Sequence, residues 1–140
     1  MDALTGTTCL GLTAFCVEIG LKPVLCASGG KSGRLASCIR DAAPELDPEA
    51  EILEDIDFAE IEAAVNHLKP DLLIGNSKGF SLSRKTGTPL IRVGFPIHDR
   101  VSGSRTLHLG YRGAQRLFDT VVDKIMELKQ EGNDIGYTYI

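Results

Sequence analysis

Three short stretches of this 140-residue chain carry side chains able to do chemistry. Gly75-Asn76-Ser77-Lys78-Gly79 sets an amide, a hydroxyl and an ammonium between two glycines, and the backbone amides of such a turn can face an anion. Gly94-Phe95-Pro96-Ile97-His98-Asp99-Arg100 puts an imidazole beside a carboxylate and a guanidinium, the groups of acid–base and metal chemistry. Tyr111 and Arg112 follow in Gly110-Tyr111-Arg112-Gly113. Each set also has a plain structural role. Neighbouring loop residues seldom aim at one atom, so Asp99 and Arg100 are expected to brace their loop, with His98 partly exposed. Asn76 and Ser77 are expected to bond the turn backbone with Lys78 in solvent, or to form a polar wall against a neighbouring domain. His67 and His108 have no acidic partner at metal-ligand spacing. No catalytic, cofactor-binding or metal residue is therefore assigned, and Asn76, Ser77, Lys78, Phe95, Pro96, His98, Asp99, Arg100, Tyr111 and Arg112 stand as loop or interface candidates.

Ser28-Gly29-Gly30-Lys31-Ser32 follows an apolar run and opens a helical one, which invites a phosphate-loop reading. That pattern needs a glycine five residues before the one in Gly-Lys-Ser, and Leu25 occupies the position. Only a generic anion site at a helix start is left. Cys9, Cys16, Cys26 and Cys38 show no close ligand spacing. Cys9 and Cys16 fall two helical turns apart on a face with Leu12 and Ile19, so core packing is the expected role.

The elements that must position these residues alternate. Thr7 or Thr8 caps a helix to about Ile19 with Gly20 as its stop, and Pro23 to Ala27 reads as a strand. A second helix runs from about Ser32 to Ala42, and Glu51 to Leu53 is a short acidic strand. Phe58, Ile61, Ala64, Val65 and Leu68 recur at helical spacing and end against Pro70. Leu72 to Ile74 and Leu90 to Val93 are apolar runs bounded by Pro and Gly, suited to parallel strands covered on both faces. A brief helix around Leu82 stops at Gly87. Leu117, Val121, Ile125 and Leu128 stripe a last helix from about Tyr111 to Gln130.

This order predicts an α/β fold, a three-layer doubly wound parallel sheet of Rossmann-like type. Met1 to Thr8 is too polar to supply the central strand with which such a unit opens, so the sheet is expected to lack its first strand. Residues 1–140 read as a single domain cut from a longer multi-domain subunit. Unpaired neighbours of a missing strand are costly. Leu4 to Thr8 or Tyr137 to Ile140 is expected to fill the gap, within one molecule or across a homodimer.

Length and charge agree. A chain of this size buries roughly two-thirds of its unfolded surface. A net charge of -4 argues against a nucleic-acid partner, which is held by clustered Lys and Arg. No run approaches the ~20 apolar residues of a membrane span, and no secretion signal is present, so the expected location is cytoplasmic.

Read together, LKPDLLIGNSKG, TPLIRVGFPIHDR and LGYRG before a long helix resemble the carboxy-terminal domain of nitrogenase component 1 proteins, in particular their beta-type chains. The likeness is strong over Leu68 to Glu127 and looser from Leu10 to Ile61. It implies the third of three similar α/β units in a subunit of several hundred residues. Two parents are implied. GFPIHDR and LGYRGAQRLFD lean toward the beta-like subunit of the scaffold that matures the iron-molybdenum cofactor. The other is the beta chain of an active nitrogenase-type oxidoreductase. The resemblance further implies an alpha-like partner subunit, an iron protein as electron donor, and iron-sulfur or iron-molybdenum clusters in the full complex. In alpha-type relatives a histidine in the stretch matching Tyr111-Arg112-Gly113 holds the catalytic cofactor. Arg112 stands there instead, and a guanidinium is not a usual metal ligand. Arg112 is expected to pair with a carboxylate, across an interface or next to the helix start. A free-standing Rossmann-like small-ligand binder is the remaining alternative.

Overall fold

The computed structural model describes residues 6–94 and 97–133. The chain divides into two compact units, Met1–Asp99 and Arg100–Ile140.

In the first unit, helices and parallel strands alternate: α1 (Gly6–Glu18), β1 (Leu25–Ser28), α2 (Leu35–Ala42), β2 (Glu51–Glu54), α3 (Phe58–Leu68), β3 (Leu73–Gly75), α4 (Phe80–Thr86) and β4 (Leu90–Arg92). β1 pairs with β2 from Leu25↔Glu51 to Ser28↔Glu54, and β3 with β4 from Leu73↔Leu90 to Gly75↔Arg92; both pairs are parallel. Among the described residues the pairs form separate two-stranded ladders, with no strand joining β1 to β3. That is the pattern of a doubly wound sheet interrupted at its middle. Of the two segments expected to fill the interruption, Gly6 to Thr8 instead begin α1. The rest of that segment and Tyr137 to Ile140 lie outside the described residues.

The three layers follow from β1. Successive strand side chains point to opposite faces. Cys26 joins a cluster with Cys9 of α1, Leu35 and Ile39 of α2, and Ala43, Leu46 and Ala50. Leu25 and Ala27 pack against the other cluster, Ile61 and Val65 of α3 with Leu82 of α4, which also takes in Leu73 of β3. Helices thus cover both faces. Ile39 is fully buried, and truncating it to Ala would cost about 2–5 kcal/mol.

Local chemistry sets the helix ends. Asp57 accepts from the Ala59 and Glu60 amides at 2.8 and 2.9 Å while Glu60 accepts from the Asp57 amide, a complete capping box at the start of α3. The helix closes at Lys69, held left-handed at φ 48°, just before Pro70. α4 closes at Gly87, φ 73°, where a side chain would be strained. Arg40 ties down the connection from α2 to β2, donating to the carbonyls of Leu46, Asp47, Pro48 and Ala50.

The second unit contains a short 3-10 turn, Gly103–Arg105, and α5 (Gly110–Glu131). Val121 of the expected stripe is buried, whereas Leu117, Ile125 and Leu128 are only half-buried. Gly113 lies against the backbone of His108 so closely that a Cβ there would come within 2.5 Å of the His108 carbonyl carbon. The His108 ring is half-buried; its Nε2 has no hydrogen-bond partner among the described residues, and desolvation lowers its pKa. No described helix is long and apolar enough to cross a membrane.

Candidate functional site

The loops after β3 and β4 meet at Asp99. Asn76 is buried, and its side-chain oxygen accepts from the Lys78 amide at 3.1 Å, closing the turn that follows β3. Ser77 is thereby aimed at the second loop. Its hydroxyl donates to Asp99 Oδ1 at 2.6 Å and accepts from the His98 amide at 2.9 Å. From β4, Arg92 grips the same carboxylate: Nε lies 3.0 Å from each oxygen and Nη2 2.7 Å from Oδ2. The Arg92 side chain is only 14% exposed and its guanidinium lies 5.5 Å from the centre of the Phe80 ring. Two charged donors and a hydroxyl on one carboxylate favour its ionised form strongly, so the Arg92 guanidinium and then Ser77 hold the Asp99 carboxyl far below the usual range.

This arrangement is a brace. Asp99 joins Ser77 of the first loop to Arg92 at the end of β4, and the bidentate fork fixes their geometry. His98 contributes its backbone amide, and its ring is exposed. Asp99 bonds to Arg92, a residue that was not among the expected ones. A Leu-Ile-Arg-Val run reads as strand, and a strand residue's reach to a loop leaves no mark in periodicity, so the sequence does not reveal the role of Arg92. Lys78 is exposed. Phe95 and Pro96 lie outside the described residues. Arg100, Tyr111 and Arg112 belong to the second unit. Tyr111 is almost entirely exposed, at 98%, and Arg112 is exposed and forms no ion pair among the described residues, so the pairing expected next to the helix start is not seen there.

The glycine turn after β1 is also self-occupied. Glu54, at the end of β2, accepts from the Ser32 amide at 2.8 Å, the Ser32 hydroxyl at 2.7 Å and the Leu35 amide at 3.2 Å. These donors lower the Glu54 pKa, the Ser32 hydroxyl foremost. The free amides that an anion would have used are thus taken by the chain's own carboxylate. Sequence reasoning missed Glu54, because its contact depends on β2 lying beside β1, a pairing that only the structure supplies.

Cys9, Cys16 and Cys26 are buried as small core residues, while Cys38, on α2, is exposed. Among the described residues no three His, Cys, Asp or Glu side chains group as they would around a metal ion.

Comparison with known proteins places this geometry. Residues 3–126 match the family model described as nitrogenase component 1 type oxidoreductase. The chain is 37% identical over 131 residues to a nitrogenase molybdenum-iron protein beta chain of Azotobacter vinelandii, covering 87% of this chain and 25% of that one. It is 36% identical over 126 residues to a nitrogenase iron-iron protein beta chain of Rhodobacter capsulatus, covering 86% and 27%. A molybdenum-iron protein beta chain of Methanococcus maripaludis is 30% identical over 125 residues, covering 89% and 27%. The chain therefore spans about a quarter of the length of these curated relatives. A solved structure titled "Nitrogenase Cp1 at pH 6.5" superposes with a TM-score of 0.85 at 24% identity, over 95% of this chain and 30% of that one, which shows the same fold.

Proposed function

The chain belongs to the nitrogenase component 1 type oxidoreductase family, and we propose that it serves as a framework and subunit-contact domain of a beta-type subunit. The observation that carries this reading is the Arg92, Asp99 and Ser77 brace. At the strand edge where α/β proteins bind ligands, Ser77, Arg92 and Asp99 are committed to holding two loops in one shape. A shaped, self-satisfied edge suits contact with another protein surface better than turnover.

The working partner in this reading is an alpha-type component 1 subunit, with an iron protein delivering electrons to the assembled complex in the cytoplasm. Iron-sulfur or iron-molybdenum clusters go with the family. The donors of this chain do not fit one: three cysteines are packed between α1 and β1, Cys38 stands apart, and Arg112, in the first turn of α5, is not a metal ligand. No step through a cluster is assigned to these residues.

For the finer identity we favour the beta-like subunit of the scaffold that matures the iron-molybdenum cofactor, on the wording of GFPIHDR and LGYRGAQRLFD. A second reading, the beta chain of an active nitrogenase, draws support from the names of the relatives above, which are molybdenum-iron and iron-iron protein beta chains. Both readings make these residues one domain of a longer subunit. The number and spacing of cysteines encoded upstream would separate them.

The domain role is tested by a chimera in which these residues replace the matching segment of the Azotobacter vinelandii beta chain. Assembly with the alpha chain and retention of iron support a framework and contact role. A soluble, folded chimera that stays unpaired with alpha sinks it.

A further inference from the structure

The second unit opens with a cationic stretch in a chain whose net charge is -4. From Arg100 to Phe118 the sequence holds four arginines and no lysine, aspartate or glutamate. Three of them, Arg105, Arg112 and Arg116, line one open cavity of about 520 Å³, shared with Thr106, Leu107 and a single acid, Asp119. Arg112 and Arg116 lie one turn apart on the same face of α5, and Arg105 belongs to the 3-10 turn that precedes the helix. All three are exposed, and none of their guanidiniums has an ion pair or hydrogen bond among the described residues. α5 adds to the positive field, because its first turn contains no acid and Leu109 at its N-cap offers no side-chain acceptor.

Solvated arginines are ordinary by themselves. Here they stand beside uncovered apolar surface: Leu109 and Tyr111 are 88 and 98% exposed, and Leu107 and Phe118 are about half exposed. Tyr111 and Phe118 fall two turns apart, so they form a stripe of α5 next to the one that carries Arg112 and Arg116. Arginine and tyrosine carry much of the binding energy at protein interfaces, while lysine and the acids are depleted there, and the stretch from Arg100 to Phe118 has that composition. We propose that this face of the second unit docks an acidic segment of another polypeptide, whose carboxylates pair with Arg105, Arg112 and Arg116 while its apolar side chains cover Leu107, Leu109 and Tyr111. Charge complementarity selects the occupant. A guanidinium takes a carboxylate in a two-bond fork, and three unpaired guanidiniums around one cavity call for several carboxylates at close spacing. A free phosphate would satisfy the arginines and leave the leucines and Tyr111 in water. A nucleic acid needs a longer cationic track than this chain offers. The proposal deepens the subunit-contact reading above and rests on it, adding the chemistry of the surface that the partner presents.

The test is fluorescence anisotropy with the whole chain and a fluorescein-labelled probe, a peptide of glutamates with leucine at every fourth position. The peptide should bind, and raising the salt to shorten the screening length should weaken it roughly tenfold. Arg105→Gln, Arg112→Gln and Arg116→Gln combined should weaken it by about tenfold or more without changing the circular dichroism, since all three side chains are exposed. Tyr111→Ser should weaken it severalfold. Equal binding by the triple variant, equal binding of a peptide with glutamine in place of glutamate, displacement by inorganic pyrophosphate as effective as by unlabelled peptide, or no binding at all overturns the proposal. The glutamine peptide and pyrophosphate decide the matter on the wild-type chain if a variant fails to fold. Pairing of the chimera described above with the alpha chain reports on the framework role separately, so a chimera that assembles while the peptide fails to bind sinks this proposal and leaves that role standing.

Discussion

Replacing Asp99 with Ala removes the carboxylate that joins the two loops, and its cost can be worked from the contacts. Arg92, mostly buried against Phe80, would keep its charge and lose a bidentate partner, and Ser77 would lose its acceptor. A hydrogen bond to a charged group contributes about 1.5–3 kcal/mol when well shielded. The carboxylate is 32% exposed, so solvent screens part of that and about 2 kcal/mol is the expected loss for Asp99→Ala. With a urea slope of about 1–3 kcal/mol per molar, the unfolding midpoint should fall by roughly 1 M. Arg92→Met should cost at least as much, because it also removes the cation from the Phe80 face. A double-mutant cycle should return a coupling of about 1 kcal/mol, and a value below about 0.3 kcal/mol would refute the brace. The pH dependence has a definite sign. In the unfolded chain an Asp titrates near 3.9, about its ordinary value, and in the fold Asp99 titrates far lower. Its contribution is therefore complete above about pH 5 and is lost as pH falls through the acid range toward the folded value. The gap between wild type and Asp99→Ala should stay constant from pH 7 to about 5 and shrink below that.

Other outcomes are equally specific. Glu54→Ala should free the Ser32 and Leu35 amides, seen as faster hydrogen exchange at those two residues while Val65 in the core of α3 stays protected. Gly113→Ala gains up to about 1 kcal/mol of helix propensity, yet its Cβ meets the His108 backbone at 2.5 Å, so a net loss of about 1–3 kcal/mol is expected in thermal unfolding. Asp57→Ala should cost about 1 kcal/mol by opening the capping box, measurable by urea titration. The chain purified by itself should be colourless, with iron well below one atom per chain by elemental analysis; a brown, iron-loaded preparation would overturn the role given to its cysteines.

Much of this architecture was legible in the residues. Ile61, Val65 and Leu68 marked α3 because a helix buries one stripe, and Lys69 before Pro70 marked its end. The strands were found from short apolar runs within a residue or two, since an apolar run fixes where a strand lies better than where its ladder stops. Interactions between elements were harder to see. Arg92 with Asp99, and Glu54 with Ser32, depend on which strand lies beside which, and a single sequence does not print strand order. Cys38 follows the same logic: it differs from the other three cysteines only by the face of its helix, and α2 is too short for its pattern to declare that face securely.

The strand partnerships also govern how this chain reaches its structure. Leu25 waits for Glu51 and Leu73 for Leu90, so each ladder closes only after an entire crossover helix has been laid down. Among the described residues no hairpin exists to act as an early seed. Refolding should show helical circular dichroism first and slow strand pairing afterwards, on the millisecond-to-second scale of non-local topologies. During that delay the exposed β edges are what a chaperone would have to shield.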